Sequence, residues 1–101
     1  MRGRQQRAGR LLVTHVVPGP CAADPARVAV IASRKVGNAV TRNRCKRLLR
    51  EAVRPCALRE GIDVVLVARA ALATASLQAV QQELSAHLDE LGALAPVPTA
   101  G

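Results

Sequence analysis

The sequence predicts an α+β domain, a small sheet packed against helices in a two-layer sandwich, with element order β-β-α-β-α. Three observations carry this reading. Residues 11–17 and 27–33 are rich in β-branched residues and lie between turn-forming stretches. The period then changes, with Cys45, Leu48, Leu49, Ala52 and Val53 recurring at helical spacing. A nearly continuous apolar run, residues 62–68, precedes a second helical repeat of Leu77, Val80, Leu84, Leu88 and Leu91.

Each element has its own signal. Residues 1–10 are basic and Gly-punctuated, with no apolar period, and read as a flexible arm or the remnant of a helix. Residues 11–17 form the first strand, with Leu11, Val13, His15 and Val17 on one face. A basic start, a short apolar run and the small Cys21-Ala22-Ala23 also imitate a signal peptide, but Thr14 and His15 interrupt that run. Pro18-Gly19-Pro20 and Asp24-Pro25 mark a loop before the second strand, and this loop suggests antiparallel pairing of the two. Asn38 caps a helix that Pro55 ends. Residues 62–68 fit a strand buried on both faces. Thr74 or Ser76 caps the last helix, and Gly92 closes it. Residues 11–92 therefore make a single α+β domain, with an arm at 1–10 and a disordered tail at 93–101.

Composition narrows the function. The chain has 101 residues, a net charge of +8, and no Phe, Tyr or Trp. RNA modules that stack bases on sheet aromatics are excluded. No stretch approaches the ~20 apolar residues of a membrane span, so no membrane partner is expected. Cys21, Cys45 and Cys56 form no CxxC pair and leave one thiol over, against a disulfide scaffold. With His15 and His87 they lack zinc-ligand spacing, so no metal ligand is assigned. The thiols read as buried or idle in a reducing cytosol.

Charge is concentrated. Thirteen of the 15 Lys and Arg residues lie in residues 1–54, beside only Asp24 and Glu51. From Arg34 to Arg54 there are eight bases and one acid. At about 100° per residue, Asn43, Lys46, Arg47, Arg50 and Arg54 fall opposite the apolar stripe. Such a face suits a polyanion, and Arg suits bidentate phosphate contacts. Arg42 and Arg44 sit near the positive end of the helix dipole, where cations cost ~0.3–1 kcal/mol each. A bound anion would relieve that cost. Glu51, four residues after Arg47, is placed to pair with it. Arg34-Lys35 extends the charge onto the sheet edge. A helix-turn-helix is disfavoured because the flanking elements read as strands. No convergent Glu/His/Ser set supports a stand-alone enzyme, so no catalytic residue is assigned.

The stretch Ser33-Arg34-Lys35-Val36-Gly37-Asn38-Ala39-Val40-Thr41-Arg42-Asn43-Arg44-Cys45-Lys46-Arg47-Leu48-Leu49-Arg50-Glu51-Ala52-Val53-Arg54 resembles the signature of the bacterial ribonuclease P protein component. Gly61 to Arg69 resembles that family's last strand, and Leu77 to Leu91 its C-terminal helix. The resemblance implies the ribonuclease P protein-like fold, shared with a ribosomal-protein domain. It implies a subunit of a ribonucleoprotein endoribonuclease that binds the catalytic RNA and helps remove the 5′ leader from precursor tRNA. The RNA would carry the chemistry with Mg2+, the protein holding no cofactor itself, in the cytoplasm. By motif match, RNA binding falls to Arg34, Lys35, Arg42, Asn43, Arg44, Lys46, Arg47, Arg50 and Arg54. Val13 and His15 are candidates for leader contacts. Members of the family begin with a further helix bearing an aromatic residue. Only Met1 to Gly9 precede the first strand here, which the resemblance reads as a late-assigned start or a truncation. The alternative is a structural, ribosomal-protein-like RNA-binding domain without a role in cleavage.

Overall fold

The structure is a computed structural model, and it describes residues 5–95. Its elements are β1 (Gln5–Ala8), β2 (Leu12–Pro18), β3 (Arg27–Ile31), a 3-10 turn (Arg34–Val36), α1 (Ala39–Val53), β4 (Ile62–Ala68), a second 3-10 turn (Ala70–Thr74) and α2 (Leu77–Glu90). The strands make one sheet in the order β1-β2-β4-β3.

The apolar run of β4 takes an inner position, where both backbone edges find partners. It pairs antiparallel with β2 and parallel with β3. Parallel neighbours need a long crossover, and α1 lies within it. The expected antiparallel pairing of β2 with β3 is thus corrected, because β4 lies between them. The connecting loop is held across the start of β4. Gly19 N–H donates to Gly61 O, and Gly61 N–H donates to Asp24 O, each at 2.8 Å.

The basic arm is also corrected for its described part. Gln5–Ala8 pairs antiparallel with β2, Gln6 opposite His15 and Ala8 opposite Val13. All four residues of β1 are exposed. Backbone pairing rather than a buried apolar face makes this strand, which is why no alternation announces it. Residues 1–4 lie outside the described residues.

Both helices start where local chemistry places them. The Asn38 side chain accepts from Thr41 N–H at 2.9 Å, and Ser76, rather than Thr74, accepts from Ala79 N–H at 3.2 Å. Each cap satisfies one of the unpaired N–H groups that a helix start leaves. Cys45, Leu49 and Ala52 of α1 are buried, with Leu48 and Val53 half-buried. All of these except Leu48 pack in one core with Val80, Leu84 and Leu88 of α2.

That core covers one face of the sheet. Leu12, Thr14 and Val16 of β2 and Ile62, Val64, Leu66 and Ala68 of β4 are buried there. The alternate residues Val13, His15, Val17, Asp63, Val65 and Val67 are only half-buried. The expectation that β4 is buried on both faces therefore fails, because both helices lie on the same side. Val13, His15 and Val17 do share a face, as expected, and it is the open one. Leu11, placed with them by alternation, is buried with the core.

The tail expectation is corrected over its first residues. Ala93 is buried, Leu94 bridges to Leu58, and Ala95 N–H donates to Ala57 O at 2.8 Å. Residues 96–101 lie outside the described residues.

A polar cluster fastens the β1–β2 turn to α2. Glu83 Oε2 accepts from the N–H groups of Leu11 and Leu12, both at 2.9 Å. Thr14 Oγ1 and His87 Nδ1 are hydrogen-bonded at 2.9 Å within the core. Arg7 of β1 pairs with Glu90, and Arg69 donates to Gly9 O. Burial pushes the His87 imidazole below its ordinary value of 6.5, and nearby Arg7 acts the same way against the opposing pull of Glu83. The unfolded chain takes this proton near pH 6.5, whereas the folded chain takes it only at lower pH. The neutral imidazole's contribution is thus intact above 6.5 and lost as pH falls through the interval below it. The melting temperature is expected to fall on acidification through this range, and to fall less in His87→Gln. Equal falls in both proteins would place the acid sensitivity elsewhere.

Candidate nucleic-acid interface

The covered apolar stripe of α1 forces its opposite side outward. Asn43, Arg47, Arg50 and Arg54 are exposed along that side, and Lys46 is half-buried beside them. The 3-10 turn before α1 presents Arg34 and Lys35, both exposed, while Val36 anchors it in the core. Ser33 caps this turn by accepting from Lys35 N–H at 3.3 Å. The turn and the outer side of α1 thus present Arg34, Lys35, Asn43, Lys46, Arg47, Arg50 and Arg54 to solvent.

This charge is not neutralised locally. Among the described residues two ion pairs form, Arg7 with Glu90 and Arg27 with Asp63. Neither involves α1. The expected pairing of Arg47 with Glu51 is absent, because the half-buried Glu51 does not come within ion-pair distance of it. The surface therefore keeps its full positive charge for a partner.

Arg42 and Arg44 leave this stripe in different ways. Arg42 is half-buried, and its Nε is buried without a protein acceptor. Arg44 reaches sideways, its guanidinium donating to the carbonyl oxygens of Ala73 and Ala75. Of the nine residues singled out for RNA binding, Arg44 is the one whose side-chain donors are taken up within the protein, among the described residues.

The open face of the sheet is a second surface. His15, Val17, Ile31, Val65 and Val67 line a shallow depression of about 260 Å³. Val13 lies on the same face, paired with Val67. His15 Nδ1 is buried here with no hydrogen-bond partner. Arg27 makes a two-pronged contact with Asp63 of β4, at 2.9 and 2.7 Å. That contact holds the Asp63 carboxyl below the usual carboxylate range. The two predicted leader-contact residues thus lie together on the open face of β2, more than twenty residues of sequence before the basic helix. Val17, Ile31, Val65 and Val67 are added by the structure. Only the half-polar alternation through His15 and Asp63 hinted at an uncovered face.

The thiols and the acids form no further centre. No group of three His, Cys, Asp or Glu side chains among the described residues is placed to hold a metal ion. Cys45 is buried, Cys56 half-buried and Cys21 exposed, and all three are free. Burial pushes the Cys45 and Cys56 thiols above their ordinary value, which leaves them poor nucleophiles. Among the described residues no helix is long and apolar enough to cross a membrane.

A four-stranded mixed sheet backed by two helices, one of them arginine-rich on its outer side, defines a class of small basic α+β protein. Solved structures share this fold. The ribonuclease P protein of Staphylococcus aureus superposes with a TM-score of 0.76 at 24% identity, over 91% of this chain and 84% of that one. The ribonuclease P protein of Thermotoga maritima gives 0.71 at 24% identity, over 82% and 79%. In sequence, the ribonuclease P family model matches residues 1–92. The ribonuclease P protein component of a Nocardioides species is 44% identical over 94 residues, covering 89% of this chain and 80% of the relative. That of Dehalococcoides mccartyi is 48% identical over 66 residues, so the match spans about half (53%) of the relative's length. The chain belongs to the ribonuclease P protein family.

Proposed function

We propose that this chain is the protein subunit of the ribonucleoprotein endoribonuclease P. It binds the catalytic RNA and assists removal of the 5′ leader from precursor tRNA, in the cytoplasm. The observation that carries the reading is the uncompensated basic face of α1, on a chain whose family is that of ribonuclease P proteins. Arg34, Lys35, Arg42, Asn43, Lys46, Arg47, Arg50 and Arg54 supply donors and charge to RNA phosphates. Phosphate contacts made this way give affinity that falls steeply with salt. The catalytic RNA performs the hydrolysis with Mg2+, and no side chain of this protein takes a catalytic role. The protein offsets phosphate repulsion, so that RNA and substrate meet at lower Mg2+.

The leader lies on the open sheet face. Val13, His15 and the adjoining valines offer it an apolar floor, and His15 Nδ1 is a polar atom awaiting a partner. With His15 as the one ring on this floor, leader bases find little stacking, and this face adds little to leader affinity.

The test is reconstitution with bacterial ribonuclease P RNA. Leader removal from precursor tRNA is followed at low Mg2+, with and without the protein. Acceleration by the protein is the expected result. Binding to ribosomal RNA with no effect on leader removal would overturn the reading.

A further inference from the structure

We infer that Arg44 is a positioning residue that clasps α1 to the start of α2, and that it does not contact RNA phosphate. This rests on the reading of α1 as the RNA-facing helix. The two carbonyls that its guanidinium engages, those of Ala73 and Ala75, close the second 3-10 turn. The last carbonyls of a helix lack partners within it and carry partial negative charge. Ser76, the cap of α2, follows directly. One side chain on the second turn of α1 therefore ties down the junction from which α2 departs.

The placement accounts for a cation where the helix dipole disfavours one. Arg44 lies near the positive end of α1, but its charged group is carried across to the carbonyl end of a neighbouring turn. There the electrostatics reverse in its favour. The planar fork matters as well, since two separated carbonyls are met by two nitrogens of one guanidinium. A lysine keeps the charge but offers a single point.

The clasp has a consequence for the RNA face. Cys45 and Leu49 fix α1 against the core, and Leu72 in the 3-10 turn is fully buried. The apolar contacts leave rotation and tilt at the N-terminal half of α1 to be set by polar ties. Arg44 supplies that tie, and Asn43, Lys46 and Arg47 next to it take their direction from it. Loss of the clasp lets the domain fold with its cations mis-aimed.

The experiment measures affinity for bacterial ribonuclease P RNA across a range of monovalent salt, with thermal melting of each protein. Wild type, Arg44→Ala, Arg44→Lys and Arg47→Ala are compared well below their melting temperatures. For Arg47→Ala the salt slope should fall by about 0.7–0.9, the value of one phosphate contact, with melting unchanged. For Arg44→Ala the melting temperature should fall by about 5–10 °C. Its affinity should fall by the same several-fold factor at every salt concentration, with an unchanged slope. Arg44→Lys should behave like Arg44→Ala despite its charge. A reduced slope in Arg44→Ala, restored in Arg44→Lys, would make Arg44 a phosphate contact and overturn the inference. Lowered melting with wild-type affinity would reduce Arg44 to a purely structural role and overturn it equally. Failure of the wild type to bind this RNA would instead overturn the functional reading beneath it.

Discussion

Replacing Arg47 and Arg50 together by alanine is expected to weaken binding to ribonuclease P RNA by on the order of 100-fold at moderate salt. Both side chains are exposed on the outer stripe of α1, and neither is drawn into an ion pair within the protein. A hydrogen bond to a charged group contributes about 1.5–3 kcal/mol, and two lost together at the low end of that range account for about two decades. The salt slope should fall by about 1.4–1.8, since two phosphates are no longer neutralised. The melting temperature should barely move, because exposed substitutions away from packed contacts change stability by about 0.5 kcal/mol or less. Filter binding or fluorescence anisotropy over several salt concentrations reads both quantities. An unchanged slope would remove the outer stripe of α1 from the RNA contact.

The second large effect lies far from that stripe. Gly9→Ala should destabilise the domain by about 3 kcal/mol, lowering its melting temperature by about 15 °C. A Cβ at Gly9 would overlap Glu83 Oε2, standing 2.5 Å from its carboxyl carbon and 2.8 Å from His87 Nε2. These are ends of side chains, which ordinarily yield. Here the carboxylate is held by the Leu11 and Leu12 amides, and the imidazole by Thr14. The carboxylate yields only by releasing two hydrogen bonds in a part-buried setting. A double-mutant cycle isolates the coupling. Gly9→Ala on a Glu83→Ala background should cost much less than on the wild type. Additive effects of the two substitutions would mean that Gly9 is small for another reason.

What could be read from the sequence was what is local. Asn38 and Pro55 bracket α1, and the Cys45/Leu49/Ala52 stripe sets its inner face by simple periodicity. Its outer face follows without any knowledge of the sheet, so most of the basic surface was legible. The 62–68 run was equally plain as a strand. Its two neighbours were not, because strand order depends on contacts between residues distant in the chain. Gln5–Ala8 could not be seen at all, since a strand with four exposed residues leaves no apolar trace. Nor could the open sheet face, which exists because both helices settle on one side. For Arg44 the sequence shows a cation at the unfavourable end of the helix dipole, but not where its side chain goes. Its orientation depends on two alanine carbonyls about thirty residues later, and carbonyls carry no signature of residue type.

The order of the strands also has a meaning in time. β4 is the last strand to be made, yet β3 has no other partner and β2 meets it along its whole length. Until Ala68 has been added, the chain can form little more than the β1–β2 hairpin. At about 5–20 residues per second, the stretch from Arg54, the end of the arginine-rich segment, to Ala68 takes roughly 1–3 s to synthesise. For those seconds the arginine-rich segment exists without the sheet that later aims it. The nascent chain thus carries its concentrated positive charge before it has its fold, on the machine in the cell most densely built of RNA.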